Sequence, residues 1–324
     1  MFSLQEMRRA HEVVLGALRP TPALNWPLLN QRVGADVIVK HENHLSTGAF
    51  KVRGGLTYVD ALIKREPAIR GLICATRGNH GQSLAFAGKR AGLQVTILAP
   101  QGNSSEKNAA MRALGAELIE FGRDFQVARE EATRLAESRG LHLVPSFHRD
   151  LALGVGTYAL ELLSERADLD VLYVPIGQGS GICGCILARD ALNLKTEIVG
   201  VQSTEAPAYG LSFAAGRVVP TNSADTLADG LATRVPDQEA LEVILKGAAR
   251  ITLVSDDEIA AAVRAYWTDT HNLAEGAGAA ALAAAVKERS RLKGRKVGLV
   301  LSGGNIDFNL FRRWVVSASN AVAA

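Results

Sequence analysis

The stretch GLICATRGNHGQSLAFAGKRAGLQVTILA, residues 71–99, decides the fold. Leu72 to Ala75 is a short apolar, strand-like run; Asn79 to Gly92 carries a helical pattern; Gln94 to Ala99 is strand-like again. A helix between two apolar strands is the signature of a parallel crossover unit rather than of a hairpin. Working outward toward the C-terminus, the alternation predicts a helix near Ser105–Leu114, a strand at Glu117–Phe121, a helix at Phe125–Ser138 and a strand at His142–Val144. A second series follows: helix Gly154–Glu165, strand Val171–Pro175, helix Gly181–Leu192 and strand Ile198–Val201. A further strand begins at Ile251, and the helix after it opens on Ser255 and Glu258, spaced as a capping box. The last strand is Lys296–Leu301; toward the N-terminus another is expected at Val37–Lys40. Gly210–Asp229 carries mixed turn signals, and no internal repeat is present. The fold class read from this alternation is α/β, doubly wound twice over.

The chain has 324 residues, a little over twice the usual domain length of about 150, so two domains are expected. With 48% hydrophobic and 21% charged residues it has the composition of a globular protein, which excludes disordered and fibrous classes. The formal charge is +3 with both signs interspersed, so no basic stripe offers a surface for nucleic acid. Met1–Ala10 lacks the apolar core of a secretory signal, and Ala277–Val286 is about half the ~20 residues of a membrane span. A cytoplasmic protein without membrane partners is expected, with Ala277–Val286 as a buried helix. Cys74, Cys183 and Cys185 lack the spacing of a zinc site or a disulfide framework, and His41 and His44 read as loop residues.

In open parallel sheets ligands bind beyond the carboxyl ends of strands. Four such segments are unusual: Ser46-Thr47-Gly48-Ala49-Phe50-Lys51, Thr76-Arg77-Gly78-Asn79-His80-Gly81, Ile176-Gly177-Gln178-Gly179-Ser180-Gly181 and Ser302-Gly303-Gly304-Asn305. Gly177–Gly181 lies between a strand and a helix, where backbone N–H groups and the helix dipole suit a phosphate. It is neither a Walker loop nor a G-x-G-x-x-G fingerprint, and a tight strand–helix turn would read the same way. Lys51 opens a helical segment amid apolar neighbours. A desolvated amine there attacks carbonyls, whereas a solvated one is an ordinary surface lysine.

Taken together and in this order, the four loops resemble the pyridoxal-phosphate-dependent threonine dehydratase and serine racemase family. The resemblance runs from about Ala10 to Val315. It implies fold type II, the fold of the tryptophan synthase β subunit, with a small α/β domain (71–147) inserted into a large one (1–70 plus 148–324). It implies pyridoxal 5'-phosphate as cofactor: Lys51 as the Schiff-base lysine beside Phe50, Asn79 bonded to the phenolic oxygen, and Gly177, Gln178, Gly179, Ser180 and Gly181 around the phosphate. Ser302 would face the pyridine nitrogen, where a neutral hydroxyl favours elimination over transamination. Thr47, Gly48, Thr76, Gly78 and His80 match positions around the substrate carboxylate.

The activity implied is dehydration and deamination of an L-β-hydroxy amino acid, such as threonine or serine, to a 2-oxo acid and ammonia, with a small-molecule amino acid as partner and a homodimer as assembly. The alternatives are a phenylserine dehydratase, a β-replacement synthase, and a non-catalytic phosphate-ligand binding protein. Arg77 departs from the family: serine racemases carry there a serine that moves the second-face proton, so racemisation is not expected. Arg77 instead brings a planar cationic fork to the substrate loop, or else points outward. Gln202, Ala206 and Ala208 fall where metal-activated relatives carry an acidic cluster, so no metal site is expected, with Glu205 the one carboxylate nearby.

Overall fold

The computed structural model describes residues 2–316. Its strands are β1 Ala23–Asn25, β2 Asp36–His41, β3 Gly71–Ala75, β4 Gln94–Ala99, β5 Glu117–Glu120, β6 His142–Leu143, β7 Val171–Pro175, β8 Glu197–Ser203, β9 Ala248–Val254 and β10 Lys296–Leu301. Among the described residues they form two sheets, one in the order β1-β2-β10-β7-β8-β9 and one in the order β5-β4-β3-β6. Every pairing is parallel except the antiparallel edge β1–β2. Strands such as β3 and β7 are buried along their whole length, as parallel strands are when helices cover both faces.

The alanine-rich helix Gly276–Lys287 is buried from Gly276 to Ala285 and lies against the larger sheet, as its composition predicts. Small residues allow the approach: a Cβ on Gly278 would stand 2.2 Å from the Gly303 carbonyl. Ser255 and Glu258 form the expected capping box.

The helix Lys51–Arg65 is shared between the layers. Val52, Leu56, Val59 and Leu62 join the apolar core of the smaller sheet with Leu72 and Val95, so packing crosses residue 70. Its other side meets the helix Arg149–Glu165 so closely that a Cβ on Gly154 would come within 2.4 Å of the Arg53 carbonyl. There Arg53, fully buried, forks onto Glu42 (2.7 and 3.0 Å) and Glu161 (2.7 and 3.0 Å). Lys40 adds a second cation to Glu161 at 2.6 Å. Two cations and two carboxylates balance, and their hydrogen bonds compensate the desolvation of the charges.

Two local readings differ from the sequence. His41 is not a loop residue: it ends β2 fully buried, accepts from Trp26 Nε1 at 3.0 Å and stacks on His44, whose ring centroid lies 4.9 Å away. Burial lowers its pKa to about 4, so it is neutral. The helix expected from Gly154 starts at Arg149, because His148 Nδ1 accepts from the Asp150 N–H and caps it.

Candidate active site

Three neighbouring strands, β2, β10 and β7, lead into the segments that carry the site. Leu301 of β10 pairs with His41 of β2, and β10 also pairs with β7. The residues after β10 pin the segment before the lysine: Phe50 N–H donates to the Ser302 carbonyl at 3.0 Å, and Ala49 bridges Gly303. Ser302, buried, therefore lies next to the Lys51 turn, although 251 residues of chain separate them.

Lys51 Nζ donates to Ser180 Oγ at 3.2 Å, which joins the lysine to the turn after β7. Burial lowers its pKa to about 8, against the opposing charge of Glu275. At neutral pH an appreciable fraction is free amine, so the desolvated reading of Lys51 prevails over the surface one. On the other side of the helix, Ser83 Oγ donates to the Lys51 carbonyl at 2.6 Å.

The turn around Gly177–Gly181 is held open by backbone and not by bulk. Gly179 adopts φ +99°, and a Cβ there would sit 2.7 Å from Ala240 Cβ; one on Gly177 would sit 2.3 Å from the Gly230 carbonyl. Tyr209 Oη donates to the Gln178 carbonyl at 3.0 Å, and the Gln178 amide donates to Thr233 Oγ1 at 3.4 Å. The helix Ser180–Ala191 begins with no side-chain cap, which leaves its first N–H groups for an anion. A phosphate cradle and a depressed-pKa amine joined through Ser180 fit pyridoxal phosphate.

On the smaller-sheet side, Thr76 Oγ1 accepts from the Gly78 N–H at 3.1 Å and shapes the loop before the helix Asn79–Arg90. Asn79 Nδ2 donates to Glu275 Oε1 at 2.7 Å, and its Oδ1 accepts from Asn305 Nδ2 at 2.8 Å. Asn305 also donates to the Thr47 carbonyl at 2.8 Å, and Gly48, at φ +69°, passes so close that a Cβ would stand 2.3 Å from Asn305 Oδ1. Thr47, Gly48 and Asn79 are thus drawn together by one amide. His80 Nε2 is buried without a partner; burial, then Lys51, lowers its pKa to about 3 and keeps the ring neutral.

Arg77 is exposed, its carbonyl accepting from Asn103 Nδ2 at 3.1 Å. It lines a cavity of about 170 Å³ together with Lys107, Asp229, Glu275, Asn305 and Asp307. Among the described residues no carboxylate lies within 4.0 Å of Arg77, whereas Lys107 is paired with Asp229 at 2.6 Å. Gln202, Ala206 and Ala208 are buried, with Gln202 Oε1 accepting from the Gly210 N–H; Glu205 is exposed.

Four participants were not assigned roles from sequence: Lys107, Asp229, Glu275 and Asn305. Asn305 stood in a quoted motif. Glu275 offered one weak signal, an acidic residue immediately before a buried alanine-rich helix. Lys107 and Asp229 offered none, because their meeting is set by chain segments 122 residues apart.

Fold and site define a pyridoxal-phosphate enzyme of fold type II. Residues 14–303 match the family "Pyridoxal-phosphate dependent enzyme", and the chain belongs to it. The L-threonine ammonia-lyase of Thermotoga maritima is 33% identical over 314 residues, 97% of this chain and 78% of the relative. The L-threo-3-hydroxyaspartate ammonia-lyase of Saccharomyces cerevisiae is 33% identical over 90% of this chain and 89% of its own. A solved threonine deaminase, from T.th., superposes with a TM-score of 0.89 at 31% identity, covering 95% of this chain and 99% of that one. The chain is a lyase of the threonine and serine dehydratase family, and pyridoxal phosphate is its cofactor.

Proposed function

We propose that this ammonia-lyase dehydrates and deaminates threonine or serine to the 2-oxo acid and ammonia. The observation that carries the reading is that the Lys51 amine meets Ser180 of the Gly177–Gly181 turn, the Ser302 carbonyl holds Phe50 beside it, and Asn79 bonds Glu275, whose charge acts on Lys51. When bound, pyridoxal phosphate supplies the electron sink that makes the Cα proton acidic and the β-hydroxyl a leaving group. Gly177, Gln178, Gly179, Ser180 and Gly181 hold its phosphate through backbone N–H groups and the Ser180 hydroxyl. Phe50 packs beside Lys51, its ring centroid 4.9 Å from Nζ. Ser302 would be the residue at the pyridine nitrogen, where a neutral hydroxyl would withhold the full positive charge that a carboxylate stabilises. Asn79, with one amide N–H on Glu275, would have the other to offer the cofactor's phenolic oxygen.

Lys51, with its amine depressed to about 8, anchors the cofactor and takes the Cα proton as base. Thr47, Gly48, Thr76, Gly78 and His80 receive the substrate carboxylate, and Arg77 supplies a cationic fork at the cavity edge. The unsaturated amine released hydrolyses in water. The relatives that act on threo-3-hydroxyaspartate keep a second substrate in view, because the unpaired Arg77 would suit a second carboxylate.

The deciding experiment offers threonine, serine, threo-phenylserine and threo-3-hydroxyaspartate and measures 2-oxo acid release, with and without sulfide. Release from threonine or serine at the highest kcat/KM supports the reading; transfer to sulfide would make the enzyme a β-replacement synthase. We extend the proposal to a homodimer, tested by sedimentation velocity.

A further inference from the structure

Lys107 stands in the first turn of the helix Ser105–Ala113, which belongs to the smaller-sheet layer; the carboxylates it meets, Asp229 and Glu275, belong to the larger. Its stem runs through space left by the missing side chain of Gly78, where a Cβ would come within 2.5 Å of Lys107 Cδ. Its ammonium ends 2.6 Å from Asp229 Oδ2 and 3.7 Å from Glu275 Oε2, and that Glu275 oxygen accepts no hydrogen bond. The other oxygen of Glu275 takes one N–H of Asn79, and Asn305 donates to the Asn79 carbonyl, so the amide cannot turn over without breaking both bonds.

We propose that Lys107 is a positioning residue for the reaction: its ammonium, shared between Asp229 and Glu275, favours the ionised form of Glu275, the acceptor that orients Asn79. The argument rests on the reading of Asn79 as a cofactor-facing group. A charged carboxylate accepts about twice as strongly as a neutral one, so the protonation state of Glu275 decides how firmly Asn79 is held.

The charges around Glu275 oppose one another. Burial raises its pKa to about 7; Lys107 from the helix Ser105–Ala113 and the Asn79 amide lower it, while Asp229 raises it. In the cofactor-free protein Lys51 is a further cation felt by Glu275, and Asp307 acts on Lys107 itself. Removing Lys107 and removing Asp229 therefore push Glu275 in opposite directions. A contact that acts by packing alone would move Glu275 in neither direction.

The test is a pH titration of the cofactor's visible absorption in the holoenzyme, read beside the pH profile of kcat/KM, for Lys107→Met, Lys107→Arg and Asp229→Asn. In Lys107→Met the transition near neutral pH should move up by about one unit or more, in Asp229→Asn it should move down, and Lys107→Arg should stay near the parent. Glu275→Gln should abolish the transition. Equal shifts, no shifts, or a lowered melting temperature alone would overturn the proposal. If Lys107→Met does not fold, Asp229→Asn decides by itself: a downward shift supports it, and an upward shift or none overturns it. Borohydride labelling of a lysine other than Lys51 would overturn the reading of the site, and this proposal with it.

Discussion

Lys51 and Arg77 are both basic residues in glycine-containing loops, yet their surroundings assign them opposite chemistry. Lys51, the first residue of its helix, lies against the Phe50 ring and Ser180, and its amine falls to about 8 because burial disfavours the charged form. Since only the free amine attacks the cofactor carbonyl, capture of pyridoxal phosphate by the apoenzyme should speed up as pH rises through about 8. Borohydride should then fix a pyridoxyl group on the Lys51 peptide; a label elsewhere, or full turnover in Lys51→Ala, would remove Lys51 from the mechanism. Arg77 is exposed and always charged. Replacing it with alanine should lower kcat/KM at least about tenfold, roughly 1.4 kcal/mol of transition-state stabilisation, without lowering the melting temperature. Arg77→Lys should already be impaired, because a point charge does not reproduce the planar fork. Steady-state kinetics within twofold of the parent would show that Arg77 takes no part in substrate binding.

The element that organises the site is the helix Lys51–Arg65, and the sequence identified its start through the Gly-Ala-Phe-Lys turn while giving no hint of its anchor. Residues two apart lie on roughly opposite faces of a helix, so Lys51 faces the cleft while Arg53 faces the buried carboxylates Glu42 and Glu161. Arg53→Met should destabilise the protein by about 3–5 kcal/mol, because buried Glu42 would be left with the Thr21 hydroxyl and no cation, and Glu161 with Lys40 and His11. Urea denaturation of the holoenzyme measures this; a loss below about 1 kcal/mol would show that the network relaxes by admitting water. Arg53→Lys should recover only part of the loss, since one ammonium cannot fork onto two carboxylates.

Across the whole molecule, ion pairing makes stability depend on acid. Burial would raise Glu161, but hydrogen bonds from His11 and Arg53 and the charge of Lys40 pull its pKa well below the usual carboxylate range. Glu288, opposed by burial in the same way, is held at about 2 by hydrogen bonds from Arg250, Tyr173 and Thr252. A carboxyl depressed in the fold stabilises it above the unfolded value near 4.5, and that stability is lost as pH falls toward the folded value. The melting temperature should therefore begin to fall below about pH 6.5, where the unfolded chain protonates the histidines His41 and His80 that the fold keeps neutral, and fall steeply below about 4.5. A melting temperature flat down to pH 3 would show that these pairs contribute little. Exhaustive chelation should leave activity unchanged, because Gln202, Ala206 and Ala208 offer no carboxylate for a divalent cation; loss restored by magnesium would point to a site elsewhere. The parallel α/β layers and the four loops were legible in one dimension because strand runs, helical periodicity and glycine turns are local properties of the chain. What the sequence by itself determined was this alternation, together with the motifs carrying Lys51, Asn79, Gly177–Gly181 and Ser302. Only the tertiary structure decided that His41 is a buried strand end, that Arg53 anchors the lysine helix, and that Lys107, Asp229 and Glu275 share charge beside Asn79. The physical reason is that desolvation and ion pairing depend on the spatial meeting of segments that a local pattern does not encode, such as Arg53 with Glu161, 108 residues away, and Lys107 with Asp229, 122 residues away.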